Sequence, residues 1–136
     1  MSQITTWDEF PTVEYVPGVF RQAVSGEKVM LTRIVYRGGV VIPEHHHPAE
    51  QVMLVVEGRL WAKVGDEESD VGPGSLLIIA SDQVHAFRQL SDEDVVFYEA
   101  FAPIRLEYLV GFKGPDPSLG MMHTAFDESG EADRKV

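Results

Sequence analysis

The sequence predicts an all-β fold, a sandwich or a barrel, and three observations carry that expectation. Short runs rich in β-branched and aromatic residues recur along the chain. Each run is closed by Gly, Pro or Asp, and no stretch of helical period competes with them. At 136 residues the chain suits one domain with a single core and is too short for two.

Taken in order, the first residues (Trp7, Phe10, Val13, Tyr15, Val16) form an apolar N-terminal segment, 1–18, expected to pack on the barrel or on a second subunit. A single helical turn fits at Thr6–Phe10, with Thr5 or Thr6 as its cap. Val29–Tyr36 is a strand that stops at Gly38-Gly39, and Gln51–Glu57 is a second, closed by Gly58. Arg59–Val64 alternates and runs into Gly65-Asp66, a hairpin signal. Ser75–Ala80 is almost wholly apolar, which predicts cover on both faces. Val84–Phe87 and Val95–Phe101 complete the set. The barrel is expected over 19–112. The stretch 113–136, rich in Gly, Pro and Asp, is expected to be a flexible tail.

Composition excludes several function classes. Apolar residues at 44% and charged residues at 24% suit a soluble globular protein. No apolar run approaches the roughly 18 residues that cross a bilayer, so no membrane partner is expected. The first six residues lack the pattern of a signal peptide, which makes the cytoplasm the default location. Without cysteine there is no disulfide, thiolate ligand or thiol nucleophile. A net charge of −11 argues against a nucleic-acid partner. It does not exclude a small anion held by a metal ion and one or two arginines. The acidic clusters at Asp66–Glu68, at Asp92–Asp94 and near the C-terminus read as solvated turns.

The chemistry concentrates between His45 and Gln51, where three of the five histidines lie within seven residues. Neutral imidazoles suit a divalent transition ion such as Zn, Ni, Fe or Mn. On an extended chain, side chains alternate between faces. His45 and His47 therefore share one face and His46 takes the other. The same parity selects Gln51 and not Glu50 as a third donor, and His85, with Phe87 on its face, supplies a fourth. An exposed polar loop, or a histidine satisfied within the core, is the plainer explanation for His46 or His123.

The pattern Gly39-(five residues)-His45-x-His47-(three residues)-Gln51-(six residues)-Gly58 resembles the first motif of the cupin family. Gly72-Pro73-Gly74-Ser75, Ala80 and His85 resemble the second. The resemblance spans roughly Val19 to Phe112 and implies a cupin double-stranded β-helix, a conical jelly-roll barrel with one divalent metal in its mouth. The chain departs from the motif at Gln51, where glutamate is usual. With four neutral ligands the ion keeps more of its charge, which favours Lewis-acid chemistry over oxygen activation.

Glu99-Ala100-Phe101-Ala102-Pro103-Ile104-Arg105-Leu106-Glu107-Tyr108-Leu109 is similar to the Asp-x-Phe-Ser-Pro-x-Arg-x-Asp-Tyr-Leu signature of the pectin-degradation cupins. Those enzymes open the ring of unsaturated uronates. Val19-Phe20-Arg21-Gln22 is similar to them too. The resemblance implies catalytic roles for Glu99, Phe101 and Arg105: proton transfer by the carboxyl and capture of a substrate carboxylate by the guanidinium. It also implies a small carboxylate or sugar acid as substrate. The plain alternative is a Glu99–Arg105 salt bridge at the rim. The competing functions are a cupin dioxygenase or lyase, and a non-catalytic metal- or sugar-binding module, which a barrel mouth plugged by bulky side chains would favour. A homodimer is expected.

Overall fold

The structure is a computed structural model that describes residues 3–109. The expected tail, and with it His123, lies outside the described residues. Ten strands form two antiparallel sheets. The strands are β1 (Val13–Val16), β2 (Val19–Ser25), β3 (Met30–Tyr36), β4 (Val41–His45), β5 (Glu50–Glu57), β6 (Leu60–Val64), β7 (Glu67–Val71), β8 (Leu76–Ile79), β9 (His85–Gln89) and β10 (Val95–Ala102). One sheet has the order β1-β2-β3-β10-β5-β8, and the other β4-β9-β6-β7.

Alternation builds the core. On β3, Met30, Thr32, Ile34 and Tyr36 are buried, while on β5 it is Gln51, Met53 and Val55. Val95, Phe97, Glu99 and Phe101 are buried on β10. An apolar cluster around Met53, Val55, Leu60, Phe87 and Phe97 fills the deep part of the barrel. A second cluster, Met30, Ala49, Phe101 and Tyr108, lies beside the histidines, Phe101 packing against His47. Burying each large apolar side chain contributes about 1.5–3 kcal/mol.

The turns explain two of the glycines, Gly65 of the hairpin signal and Gly58 of the first motif. Gly65 (φ 60°) makes the β6–β7 hairpin. Gly58 (φ 79°) links β5 to β6 where a Cβ would lie 2.6 Å from the Asp94 carbonyl oxygen and 2.9 Å from the Val95 Cα. Only glycine takes that conformation and that approach without strain.

Several expectations are corrected. The apolar run at β8 is not covered on both faces: Leu77 and Ile79 are buried, but Leu76 and Ile78 are 69% and 70% exposed. β8 is the edge of its sheet, so nothing in the described chain covers its outer face. Glu67 and Glu68 lie on strand β7 and not in a turn, as exposed residues of an edge strand. The N-terminal turn is a 3₁₀ turn, Trp7–Glu9, whose N-cap Thr6 makes no side-chain capping bond. It is held instead by Gln22 Nε2, which donates to the carbonyls of Trp7 and Phe10, and by Trp7 stacked on Tyr98 at 6.1 Å. No helix of the described residues is long and apolar enough to cross a membrane.

Candidate metal centre

Two strands bring the first pair of imidazoles together: His45 on β4 and His85 on β9 are cross-strand partners, and their rings lie 4.2 Å apart. A register shift between Ile42 and His45 precedes that pairing. His47 follows the end of β4, held in place by the Asp82 N–H, which donates to its carbonyl at 2.8 Å. Its ring lies 4.9 Å from that of His85. One donor atom from each of these three side chains falls within 4.8 Å of the others. All three are buried, whereas the His46 side chain is 41% exposed and faces Asp82. Gln51 on β5 is buried and Glu50 beside it is exposed, as the parity expectation required.

The hydrogen bonds settle which atoms face inward. His45 Nδ1 lies 2.9 Å from the Pro43 carbonyl, His47 Nδ1 2.9 Å from that of Ala49, and His85 Nδ1 2.7 Å from that of Gln83. A carbonyl can only accept, so each Nδ1 carries the proton and each Nε2 keeps its lone pair. His85 Nε2 is buried without a partner among the described residues. Gln51 is turned the same way: its Nε2 donates to Glu99 Oε2 at 2.7 Å, which leaves Oε1 3.1 Å from His47 Nε2. Two lone-pair atoms at that distance repel unless a cation lies between them. The arrangement fits a divalent transition ion held by His45, His47, Gln51 and His85.

Electrostatics agree. Burial holds all three imidazoles neutral: His47 falls to about 3, His85 to about 4, and His45 well below its ordinary value. The neighbouring imidazoles and Arg105 lower His45 and His47 further. Neutral rings are what a metal requires.

Glu99 is fixed by its neighbours. Its Oε1 accepts from Thr32 Oγ1 at 2.9 Å and its Oε2 from Gln51, so both oxygens are engaged. Burial raises its pKa to about 7, against the hydrogen bond from Thr32 and the charges of Arg105 and Arg21. The salt bridge to Arg105 does not form. Arg105 Nε instead donates to Glu107 Oε2 at 2.6 Å, and its Nη1 to the Tyr108 hydroxyl at 2.7 Å. Phe101 packs edge-on against His47 at 5.8 Å and lies 5.2 Å from the Arg105 guanidinium carbon, so it braces both.

His45, His47, Gln51, Glu99 and Arg105 line one cavity with Tyr15, Tyr36 and Tyr108. The cavity is open to solvent and leaves about 40 Å³ for the centres of water-sized molecules. One water needs roughly 10–15 Å³ on that measure, so there is room for an ion and a small ligand.

Sequence reasoning missed two contributors. Thr32 sits inward on β3 and fixes Glu99. Arg21 on β2 is 6% exposed, with its guanidinium carbon 4.5 Å from the Tyr15 ring centre and 4.1 Å from that of Tyr108. Its Nη1 is buried without a hydrogen-bond partner among the described residues. The signal for both was inward parity, with Met30 and Ile34 for Thr32 and with Val19 for Arg21.

Comparison with known proteins agrees with this geometry. The family model described as a cupin domain matches residues 32–101, which include all four donors. A curated relative, the polyketide synthase CurC of Streptomyces cyaneus, is 33% identical over 91 residues, covering 66% of this chain and 53% of its own length. The chain thus spans about half of that relative. Among solved structures, KdgF from a Halomonas species superposes with a TM-score of 0.73 at 22% identity, over 80% of this chain and 100% of that one. An RmlC-like cupin from Shewanella frigidimarina gives 0.73 at 18% identity, over 80% and 97%. These structural likenesses carry the fold. With the family match across the site, they place this chain in the cupin family.

Proposed function

We propose that this chain is a metal-dependent enzyme acting by Lewis-acid and acid–base chemistry on a small carboxylated molecule. The substrate class to test first is an unsaturated uronate, opened or isomerised at its ring. The observation that carries the proposal is the convergence of three Nε2 atoms and the Gln51 amide oxygen beside a buried carboxyl and a buried guanidinium. When bound, the ion supplies Lewis acidity to a substrate hydroxyl or carbonyl oxygen.

The remaining work belongs to this chain's own side chains. Glu99 turns the Gln51 amide so that its oxygen meets the histidines. With a pKa of about 7 it also exchanges a proton near neutrality. Since Oε2 accepts from Gln51, the proton resides on Oε1, where the Thr32 hydroxyl can rotate from donor to acceptor. Arg105 is aimed by Glu107 and Tyr108 and anchors the substrate carboxylate at the cavity wall.

The test is turnover of unsaturated galacturonate by metal-loaded protein, followed by loss of the ring double bond. Chelation should abolish it, Arg105→Met should raise KM, and Glu99→Gln should lower kcat by about 10²–10⁴. Unchanged turnover in Glu99→Gln removes Glu99 from the chemistry. No turnover by the wild type removes the uronate.

A second reading rests on the 33% identity to CurC. The same centre would then act on the carbonyl of a polyketide-derived acid. Turnover of a β-keto acid with none of the uronate would select it.

A further inference from the structure

We infer that Tyr36 is a specificity-determining residue of the cavity: its hydroxyl donates a hydrogen bond to an oxygen of the substrate, so that the site takes hydroxylated acids in preference to plain hydrocarbon acids. The inference rests on the proposal that the cavity holds a small carboxylate. Tyr36 ends β3 and lines the cavity, only 4% exposed. Its hydroxyl makes no hydrogen bond among the described residues. The polar groups around it are engaged elsewhere. Glu99 accepts from Thr32 and Gln51, and Arg105 donates to the Tyr108 hydroxyl.

Packing does not account for the hydroxyl. The Tyr36 ring stands edge-on to Phe97 at 5.0 Å within the deep apolar cluster, a contact that phenylalanine would make equally well. The cavity wall near it is apolar, with Ile34 on the same strand and Val19 as its partner on β2. A buried donor left unpaired destabilises a fold, so one set in an apolar wall points to a ligand that brings the acceptor. Burial, helped by the charges of Glu99 and Tyr108, holds the phenol well above its ordinary pKa. It therefore stays protonated through the neutral range and keeps a hydrogen to donate. Topology completes the argument. Tyr36 rises from the six-stranded sheet, whereas His45 and His85 rise from the four-stranded one. A ligand lying between the sheets meets the histidines on one side and this hydroxyl on the other. A site with such a donor rejects a molecule that offers it no acceptor.

The experiment is calorimetric titration of the zinc-loaded full chain with galactonate and with hexanoate, open-chain acids of equal length with and without hydroxyls. The wild type should prefer galactonate. Tyr36→Phe should weaken galactonate about 10-fold and leave hexanoate within about twofold of the wild type. With neither acid present, Tyr36→Phe should melt at or above the wild-type midpoint, because the ring contact with Phe97 remains and no hydrogen bond among the described residues is lost. Galactonate held equally by wild type and variant overturns the inference and leaves the proposed carboxylate site standing, and so does a wild type that prefers hexanoate. A lower midpoint in the acid-free variant overturns it as well, by giving the hydroxyl to the fold. A wild type that binds neither acid removes the carboxylate site on which the inference rests.

Discussion

Gln51→Glu restores the residue usual in the cupin motif, and the structure predicts that in this chain the change is harmful without metal and increasingly so as pH rises. Gln51 Nε2 donates to Glu99 Oε2 at 2.7 Å. The substitution removes the donor and sets carboxyl against carboxyl. Two charges about 4 Å apart at an effective dielectric of 20 repel by about 4 kcal/mol, so the folded pair keeps one shared proton well into the alkaline range. The unfolded chain has lost both carboxyl protons above about pH 5. In the wild type Glu99 gives up its proton through about 7, so above that pH only the variant folds with a proton bound.

The sign follows from that difference. A group whose folded pKa exceeds its unfolded value loses stability as pH rises, by about 1.4 kcal/mol per pH unit for one proton. From pH 7, where wild-type Glu99 is still half protonated, to pH 9 the gap between variant and wild type should widen by roughly 2 kcal/mol, equivalent to about 7 °C in the melting midpoint of a domain this size. Near pH 6 both proteins hold one proton at this place, so the gap there stops changing with pH. The assay is a series of urea or thermal melts of chelated protein between pH 6 and 9. A gap that does not change with pH would refute the Gln51–Glu99 contact and the amide orientation built on it.

Two further outcomes follow from the same geometry. For the chelated wild type, the three depressed imidazoles favour the unfolded chain as pH falls below 6.5, while raised Glu99 opposes them between 4.5 and about 7. The imidazoles outnumber it, so stability should drop from pH 6.5 to 4.5 with a limiting slope of about two protons, or ~2.7 kcal/mol per pH unit; calorimetry across that range checks it, and a midpoint that rises there is inconsistent with buried neutral histidines. Gly58→Ala should cost at least about 2 kcal/mol from its positive φ and the clash with the 94–95 backbone, read in urea melts as a lower midpoint at unchanged slope.

The histidine arrangement was legible because parity is local. Alternation alone sends His45 and His47 inward with Gln51 and leaves His46 and Glu50 outside. β8 was misread because a short apolar run reads the same whether both faces are covered or only one. Glu99 was legible as an inward carboxyl, but its hydrogen bonds were not, since they come from β3 and β5, far away in sequence. Arg21 was legible only as part of a motif, since Tyr108, one of the two rings it packs against, is far away in sequence. Only the fold shows it lodged between two tyrosine rings.

The central claim is a metal centre built from three buried imidazoles and one amide. Titrating chelated protein with zinc, nickel or manganese, with elemental analysis of the product, tests it most directly. The account predicts one ion per chain, a loss of affinity of about 100-fold or more in His47→Ala and His85→Ala, and wild-type binding in His46→Ala. Failure to bind any of these ions, or a His46→Ala variant as impaired as His47→Ala, would contradict it.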